Sequence, residues 1–462
     1  MTGMGHRFDP TILREYDIRG LIGKTLRNED AVAIGRTFGT ILKARGGSTV
    51  AVCYDGRLSS PDLAASLVDG LRAAGADVTQ VGLGPTPMLY YTARILECDG
   101  GIMVTGSHNP PEFNGFKMVM SNKPFWGGDI QELGEKAAAG DWEAGEGKTA
   151  DVDILDRYVD RLAQDYRAER GLRVAWDGGN GAASVALPLL TARLPGEHVL
   201  INETVDGTFP AHHPDPTVEE NLEQLREVVA AQDCDLGVAF DGDGDRIGVI
   251  DGQGRILWGD QILTVLARDL IERVPGATVI ADVKASDVLF EEVRRLGGNA
   301  VMSPTGHSII KSKMAELNAA LAGEMSGHIF FGDGYYGYDD ALYAAVRLID
   351  IVARSGKTMS EIRDTIPPAV NTPEIRLEVD ETAKFSLVDE IRERVTAADG
   401  ANVSTLDGVR VKTPDGWWLL RASNTQNVLV IRCEAGSEDG LDRVKETVSG
   451  HLRQIGLEPP AF

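Results

Sequence analysis

Three aspartates separated by single glycines give the sequence its clearest chemical signal. Asp241, Asp243 and Asp245 follow an apolar run in the stretch DLGVAFDGDGDRIGVID. Carboxylates this close repel one another unless a cation lies between them, and oxygen ligands suit a hard divalent ion. A calcium-binding EF-hand loop would need Gly and Glu where this chain has Arg246 and Gly252. We therefore expect Mg²⁺ here, bound between a few carboxylates and a phosphate oxygen, with a solvated acidic turn as the alternative.

Ser107 is the second candidate for chemistry, because it lies on an irregular loop at the end of a predicted strand. The apolar residues 102–104 predict a short buried strand, and the loop TGSHNP follows it at once. Gly106 gives the backbone freedom, and Pro110 stops any helix. Ligands of open α/β sheets bind at the carboxyl ends of strands, so this serine is well placed to react. A tight turn with an ordinary surface serine is the alternative.

Two further loops combine groups that recognise hydroxyls and phosphates. Between two apolar runs, GEMSGH brings together Glu324, Ser326 and His328, which suits hydroxyl recognition and proton transfer. Near the C-terminus, RASNTQN (421–427) offers an arginine, two hydroxyls and two amides within one turn. A guanidinium can donate two parallel hydrogen bonds to a phosphate, so this turn fits a dianionic phosphate. A polar hairpin loop is the alternative for the second stretch.

The remaining candidates are basic or aromatic side chains at predicted loops, strand ends and helix starts: Tyr16, Arg19, Lys117, Lys284, His307 and Lys311. Each has an ordinary alternative, either a solvated surface group or a residue near a helix end. His212 and His213 lie in a proline-rich loop, where adjacent imidazoles more often belong to the loop than to a metal site.

The elements that must position these residues repeat one plan. Strand, glycine-rich turn and helix alternate as far as residue 368, which predicts α/β sheets with polar groups at the strand ends. The last stretch differs, because four predicted strands surround a helix at 385–397 and a helix closes the chain at 438–454. We predict three similar α/β domains with mixed sheets and a smaller α+β C-terminal domain around a central cleft: 1–150, 151–253, 254–368 and 369–462. A hinge near residue 368 would let the last domain close the cleft.

Length and composition limit the class of protein. The chain has 462 residues, of which 43% are apolar and 25% charged, and a formal net charge of −24. Its length suggests roughly three or four domains. The acidic charge argues against nucleic acid or an anionic membrane as partner, and no apolar run reaches the about 18 residues of a membrane helix. Four scattered cysteines and the lack of an apolar N-terminal signal predict a cytoplasmic protein. We also expect a monomer.

Together, REYDIRG, TGSHNP, DGDGDR, GEMSGH and RASNTQN resemble the α-D-phosphohexomutases, most of all the bacterial phosphomannomutase/phosphoglucomutase branch. The resemblance extends over the whole chain. It implies that Ser107 carries a phosphoryl group and that the three aspartates bind Mg²⁺ with an oxygen of this phosphoserine. It also implies that Glu324 and Ser326 read sugar hydroxyls. The residues implied to grip the phosphate that is not reacting are Arg421, Ser423, Asn424 and Thr425. The residues implied to line the site are Tyr16, Arg19, His108, Lys117, Arg246, Lys284, His307 and His328.

The implied activity is the interconversion of hexose 1-phosphate and hexose 6-phosphate, with mannose or glucose as the sugar. The phosphoserine would give its phosphoryl group to the free hydroxyl. The resulting hexose 1,6-bisphosphate, which also serves as activator, would turn over and return its other phosphate. As general base we expect Lys117, assisted by Arg19, with His328 as the alternative.

Three other functions remain as alternatives. A phosphoglucosamine mutase would share nearly all these residues, although Met325 argues mildly against it. A Mg²⁺-dependent sugar phosphatase of the haloacid type would need Thr where Asp245 stands. A calcium-binding module without catalysis is the third alternative. Two departures from the family pattern are present. The chain has Gly106 where the family usually has Ala, and it has Ala422 to Asn427 where the family has Pro-Ser-Asn-Thr-Glu-Pro. Because of the second departure we expect a looser backbone in the C-terminal phosphate loop.

Overall fold

The computed structural model contains four sheets, and each sheet organises one domain of the chain. It describes residues 5–380, 383–399, 402–424 and 427–460. The predicted fold class, three α/β domains with mixed sheets followed by a smaller α+β domain, is confirmed. The exact boundaries near residues 150, 253 and 368 stay predictions. Within the described residues, every helix is too short or too polar to span a bilayer.

Domain I has a mixed sheet in which one strand returns antiparallel to its neighbours. Its elements are β1 (Ile18–Leu21), α1 (Asn28–Ala44), β2 (Thr49–Tyr54), α2 (Ser60–Ala73), β3 (Asp77–Leu83), α3 (Thr86–Ile95), β4 (Gly100–Val104), β5 (Phe113–Met120), β6 (Lys123–Pro124), α4 (Gly128–Ala139) and β7 (Thr149–Asp151). The strand order is β1–β5–β4–β2–β3–β7, with β6 beside β5. Strand β5 runs antiparallel to β4 and β1, whereas β2, β3, β4 and β7 are parallel.

Domain II repeats this plan with a sheet in the order β12–β11–β10–β8–β9. Its elements are α5 (Leu155–Ala163), β8 (Leu172–Asp177), α6 (Leu187–Thr191), β9 (Gly196–Ile201), α7 (Glu223–Ala231), β10 (Leu236–Phe240), β11 (Ile247–Asp251) and β12 (Ile256–Leu257). The sequence pattern predicts a helix over 153–168, and the helix found there, α5, is shorter. After β8 the chain forms the 3₁₀ turn Ala182–Val185 before α6 begins.

Domain III has the sheet β14–β13–β15–β16. Its elements are α8 (Gly259–Arg273), β13 (Thr278–Asp282), α9 (Asp287–Arg295), β14 (Asn299–Ser303), α10 (His307–Leu317), β15 (Leu321–Gly323), β16 (Ile329–Phe331), α11 (Ala341–Ser355) and α12 (Met359–Arg363). Strands β13, β14 and β15 are parallel, and β16 is antiparallel to β15.

Domain IV is built differently, because all its strand pairs are antiparallel. Its elements are β17 (Val370–Asn371), β18 (Ile375–Glu378), α13 (Lys384–Asp399), β19 (Val403–Ser404), β20 (Val409–Lys412), β21 (Gly416–Ala422), β22 (Val428–Ala435) and α14 (Glu438–Gln454). The sheet order is β17–β22–β21–β20–β19, with β18 also paired to β22.

The first three domains share one device that positions polar side chains. In each, a buried parallel strand is followed by a short loop and an antiparallel return strand: β4–β5, β10–β11 and β15–β16. An antiparallel return needs only a short loop, whereas a parallel neighbour needs a long crossover. The loops with Ser107, the three aspartates and Glu324 are these three connections. The same strand-loop-strand connection therefore brings a polar loop from each of the three domains to one cavity.

The core distinguishes the first three domains from the fourth. A continuous cluster of buried apolar side chains runs through domains I, II and III, whereas domain IV has an apolar core of its own. A small contact among Val283, Trp417 and Leu419 joins domains III and IV. Next to it, buried Arg410 donates to the carbonyl oxygens of Val283 (2.7 Å) and Ala285 (3.1 Å).

Candidate active site

The four domains meet around a cavity of about 680 Å³. Most of the residues predicted for the site line it: Tyr16, Arg19, Ser107, His108, Lys117, Arg246, Lys284, His307, Glu324, Ser326, His328, Arg421, Ser423 and Asn424. The three aspartates are fully buried next to Ser107 and Lys117. Thr425 lies outside the described residues. The structure thus brings together side chains that are more than 400 positions apart.

Ser107 presents its hydroxyl to the aspartate loop of domain II. Its Oγ donates a hydrogen bond to Oδ2 of Asp241 at 3.0 Å and lies 3.3 Å from Nδ1 of His108. The backbone of Ser107 has a φ of 49°, in the left-handed region that costs energy for a residue with a side chain. The Ser107 amide donates to Oγ1 of Thr105 at 2.7 Å. The surrounding contacts therefore hold the serine in an unusual conformation.

The three aspartates form a compact buried cluster whose oxygen atoms suit a divalent cation. One oxygen from each of Asp241, Asp243 and Asp245 lies within 4.8 Å of the others. Oδ1 of Asp243 and Oδ1 of Asp245 are buried without a hydrogen-bond partner. Burial, and then the two neighbouring carboxylates, raises the pKa of Asp241 well above its usual range. Buried unpaired carboxylate oxygens are costly, so this cluster fits a bound hard cation.

Lys117 balances part of this negative charge. Its Nζ donates to Oδ2 of Asp243 at 2.7 Å and to Oδ2 of Asp245 at 2.5 Å. Burial alone would lower the pKa of Lys117, but the attraction of the aspartates outweighs it and raises this pKa. Thr86 also donates to Oδ2 of Asp243, at 2.5 Å. The two contacts therefore hold the Lys117 ammonium beside the aspartate cluster.

His328 lies between the aspartate cluster and a second buried carboxylate. Its Nε2 accepts a hydrogen bond from Nε of Arg246 at 3.0 Å. Its Nδ1 lies 3.0 Å from Oδ2 of Asp339 and 3.5 Å from Oδ1 of Asp245. Lys311 donates to the other oxygen of Asp339 at 2.9 Å. Because Arg246 can only donate, the imidazole carries its lone pair on Nε2.

The surroundings of two other histidines at the cavity disfavour their charged forms. Burial, followed by repulsion from Lys311, lowers the pKa of His307 well below its usual value. Burial, followed by repulsion from Arg246, does the same to the pKa of His108.

The loop of domain III offers hydrogen-bonding groups to the cavity. Oε1 of Glu324 accepts from the Gly306 amide at 2.9 Å, and Oε2 accepts from Oγ of Ser326 at 3.0 Å. Tyr16 donates its hydroxyl hydrogen to the carbonyl oxygen of Thr305 at 2.8 Å. A carboxylate and hydroxyl held in place by their neighbours can read the hydroxyls of a sugar.

The far side of the cavity is cationic. Nε of Arg421 donates to Oδ2 of Asp407 at 2.9 Å, and this hydrogen bond orients the guanidinium group. Lys284 of domain III donates to Oε2 of Glu374 at 3.0 Å, and Arg376 donates to the other oxygen at 3.1 Å. The buried guanidinium and ammonium provide the charge that a phosphate requires.

Side chains of the first and last domains meet across this cavity. Nδ2 of Asn424 donates to the hydroxyl oxygen of Tyr16 at 2.5 Å. Arg19 donates to the carbonyl oxygen of Gly106 at 3.2 Å and to Oδ1 of Asn109 at 2.8 Å. Arg19 therefore contacts the loop of Ser107 directly.

Several functional candidates were missed by reasoning from the sequence: Asp55, Arg57, Thr86, Asp339, Glu374, Arg376 and Asp407. The run at 48–57 predicts a strand that ends in an Asp-Gly turn. Asp55 and Arg57 follow strand β2 at its carboxyl end, and that position is itself a signal of a functional site. No local pattern distinguished Asp407 or Glu374 from surface acids. Their partners come from distant parts of the chain.

Four family models match the chain in order, and together they cover most of it. They describe the phosphoglucomutase/phosphomannomutase α/β/α domains I, II and III and the C-terminal domain of the same proteins. The matched residues are 10–142, 156–254, 258–370 and 374–451.

Similar proteins match over nearly the full length. A phosphomannomutase/phosphoglucomutase of Pseudomonas aeruginosa PAO1 is 44% identical over 450 residues, which are 97% of either chain. A phosphoglucomutase of Neisseria gonorrhoeae is 40% identical over 438 residues, covering 94% of this chain and 95% of the relative.

Solved structures show the same arrangement. A phosphoglucomutase/phosphomannomutase family protein of Burkholderia thailandensis superposes with a TM-score of 0.92 at 42% identity, over 98% of this chain and 100% of the other. A structure described as a phosphomannomutase of Thermus thermophilus, at 23% identity, has a TM-score of 0.81 and shares the fold over 97% of this chain and 100% of its own. The chain belongs to the α-D-phosphohexomutase family, in its bacterial phosphomannomutase/phosphoglucomutase branch.

Proposed function

We propose that this protein is a phosphohexomutase that interconverts the 1-phosphate and 6-phosphate of mannose, glucose or both. The observation that carries the proposal is the composition of the cavity. A serine hydroxyl lies 3.0 Å from a buried carboxylate on one side, and a buried Arg421 lies on the other. The names of relatives at 40–44% identity support the same class of substrate.

The proposed reaction begins with Ser107 phosphorylated. The P–O bond to the Ser107 oxygen breaks as a new P–O bond forms to the free hydroxyl of the hexose phosphate. The proton of that hydroxyl passes to a base, the departing Ser107 oxygen takes up a proton, and the product is a hexose 1,6-bisphosphate with a free serine. After the bisphosphate turns over, the reverse transfer from its other end regenerates phosphoserine and releases the isomer. Because each turnover needs a phosphorylated enzyme, we expect hexose 1,6-bisphosphate to act as activator.

The metal of this reaction is proposed to be Mg²⁺. Asp241, Asp243 and Asp245 would hold it with an oxygen of the phosphorylated Ser107, and the buried unpaired oxygens support this assignment. When bound, the ion supplies positive charge that offsets the charge on the transferring phosphoryl group. Lys117, which contacts two of the same carboxylates, adds a fixed positive charge beside them.

We assign the general base to His328 in preference to Lys117. The Lys117 ammonium is held by two carboxylates, whereas Nε2 of His328 carries a lone pair that Arg246 contacts at 3.0 Å. Arrival of a substrate hydroxyl at that nitrogen would displace the arginine contact, while Nδ1 lies 3.0 Å from Oδ2 of Asp339. Arg19 would stabilise the loop and the incoming phosphoryl group.

Recognition of both ends of the sugar follows from the same cavity. Glu324 and Ser326 would bind sugar hydroxyls, and Arg421, Ser423 and Asn424 would bind the phosphate that is not reacting. Thr425, which lies outside the described residues, is proposed to join this group. When these residues hold the phosphate on one end of the hexose, the opposite end lies at Ser107. The same contacts can hold a phosphate on C1 or on C6. The hinge predicted near residue 368 is proposed to let domain IV close over the substrate.

The protein is also proposed to act as a monomer in the cytoplasm. Its cysteines Cys53, Cys98, Cys234 and Cys433 are all free and buried, which supports a reducing compartment. No nucleic acid or membrane partner is proposed, in keeping with a net charge of −24.

The decisive experiment follows the phosphorus of the substrate. We expect ³¹P NMR of mannose 1-phosphate or glucose 1-phosphate, with Mg²⁺ and a trace of glucose 1,6-bisphosphate, to show conversion to the 6-phosphate. Glucosamine 1-phosphate serves as the competing substrate. Release of inorganic phosphate without isomer would identify a phosphatase and contradict the proposal, and conversion of glucosamine 1-phosphate alone would identify a phosphoglucosamine mutase.

A further inference from the structure

Arg57 is a fully buried arginine outside the substrate cavity, and all its donors are used. Its side chain is 0% exposed. Nη2 donates to the carbonyl oxygens of Ser107 (2.7 Å) and Asn109 (2.5 Å), and Nη1 donates to those of Pro110 (2.6 Å) and Phe113 (3.0 Å). Four carbonyl groups of the loop that carries Ser107 thus converge on one guanidinium.

Asp55 completes the support from the other side. Nε of Arg57 donates to Oδ2 of Asp55 at 3.2 Å. The same oxygen accepts from the Gly106 amide at 3.1 Å and from Oγ1 of Thr105 at 2.8 Å. Thr105 in turn accepts from the Ser107 amide at 2.7 Å. The loop is therefore fixed through both its carbonyl and its amide groups by two residues that follow β2.

Two close contacts leave the guanidinium little freedom to move. A Cβ added to Gly106 would lie 2.4 Å from Cζ of Arg57, so the guanidinium occupies the place of a side chain at position 106. On another side, the ring of Phe209 in domain II lies with its centroid 5.1 Å from Cζ. Arg57 therefore sits at the seam between the loop of Ser107 and domain II, which carries the aspartates.

We propose that Arg57 is a positioning residue for phosphoryl transfer, which holds Ser107 in its left-handed conformation and in register with Asp241. This inference rests on the proposed function. A strained backbone conformation persists only where its surroundings over-determine it, and the guanidinium supplies four of the fixing contacts. Arg57 does not line the substrate cavity, so the transfer step should depend on it while sugar-phosphate binding should not.

The first test is Arg57→Lys, which keeps the charge but removes the planar set of five donors. We expect kcat to fall about 10²-fold, since small misplacements of reacting groups have effects of this size. KM for glucose 1-phosphate should stay within about twofold, because the binding groups are untouched. Phosphorylation of Ser107 by glucose 1,6-bisphosphate, followed by intact-protein mass spectrometry, should slow by a similar factor.

The matched control is Arg45→Lys in the same domain. Arg45 is 41% exposed and pairs with surface acids, so the kinetics of this variant should equal those of the parent.

Asp55→Asn tests the same network from the other partner. An amide cannot accept hydrogen bonds on both of its terminal atoms as the carboxylate does, so kcat should fall with KM retained, and the loss should not add to that of Arg57→Lys. If Arg57→Lys does not fold, as judged by near-UV circular dichroism, Asp55→Asn decides the matter alone. A parental kcat in Arg57→Lys or in Asp55→Asn would overturn the inference. Isomerisation by Ser107→Ala would instead overturn the proposed function, so the two failures can be told apart.

Discussion

At one end of the cavity, Ser107 lies against three buried aspartates, whereas at the other end Arg421 and Lys284 supply positive charge. The first end is assembled by domains that share a continuous apolar core. The second is formed where domain IV, with its own core, meets domain III through a small apolar contact. Phosphoryl transfer needs fixed geometry, while a phosphate grip needs charge and can be brought in by a separate body. The shared core of domains I to III suits the fixed geometry of transfer, and the separate domain IV suits the phosphate grip.

The two ends should respond differently to substitution. Changes at the aspartate end should lower kcat, because they affect the transfer step, and changes at the cationic end should raise KM, because they affect binding in general.

Ser107→Ala should have the largest effect, because it removes the atom that carries the phosphoryl group. We expect kcat for glucose 1-phosphate to fall by about 10³-fold or more, while the variant still binds the sugar phosphate in calorimetry. Ser48→Ala, an exposed serine of the same domain, should behave like the parent. Near-normal isomerisation by Ser107→Ala would refute the phosphoserine.

Asp243→Asn should also act on kcat. It removes a charge from the cluster and weakens the contact with Lys117, so both the activity and its dependence on Mg²⁺ should change. We expect kcat to fall about 10²-fold and the Mg²⁺ concentration for half-maximal rate to rise. Asp156→Asn on the surface of domain II is the control. An unchanged metal titration would count against the three aspartates as ligands.

Arg421→Ala should act on KM instead. A hydrogen bond to a charged group contributes about 1.5–3 kcal/mol, so KM should rise roughly 10- to 100-fold with a smaller change in kcat. Arg443→Ala, which removes a surface arginine of domain IV paired with Asp415, is the matched control. If Arg421→Ala lowered kcat alone, the proposed division between the two ends would fail.

Ser326→Ala should give the smallest effect. The hydroxyl lies between the two ends and donates to Glu324, and a neutral hydrogen bond contributes about 0.5–1.5 kcal/mol. We expect KM to rise roughly two- to tenfold for both mannose and glucose phosphates. Initial rates measured over a range of concentrations of each sugar phosphate give this KM. A parental KM for both substrates would show that Ser326 does not contribute to sugar recognition.

Much of the fold could be predicted because its signals are local. The helix predicted at 438–454 is found at those residues, and the loops with Ser107, Asp241 and Glu324 each follow an apolar strand as expected. The shorter α5 shows where local patterns fail, because helix ends depend on what packs against them.

The contacts of the site were less predictable, since they join distant parts of the chain. Lys117 was expected to act as a base, yet its Nζ binds two carboxylates of another domain. Arg57 read as part of an ordinary turn, and nothing in YDGR indicates that four carbonyl groups from residues 107–113 converge on it. The Lys117 contacts require two domains to pack together, and the Arg57 contacts require distant segments of domain I to pack together.

The sequence alone determined the spacing of the carboxylates, the strand ends that carry them and the family to which these motifs point. The packing of distant segments, in contrast, sets which carboxylate meets Ser107, which cation neutralises which acid and how deeply each group is buried. The physical reason is that side-chain spacing is a local property of the backbone. The strength of a charge interaction, in contrast, depends on the low-dielectric surroundings that distant segments create when they fold together.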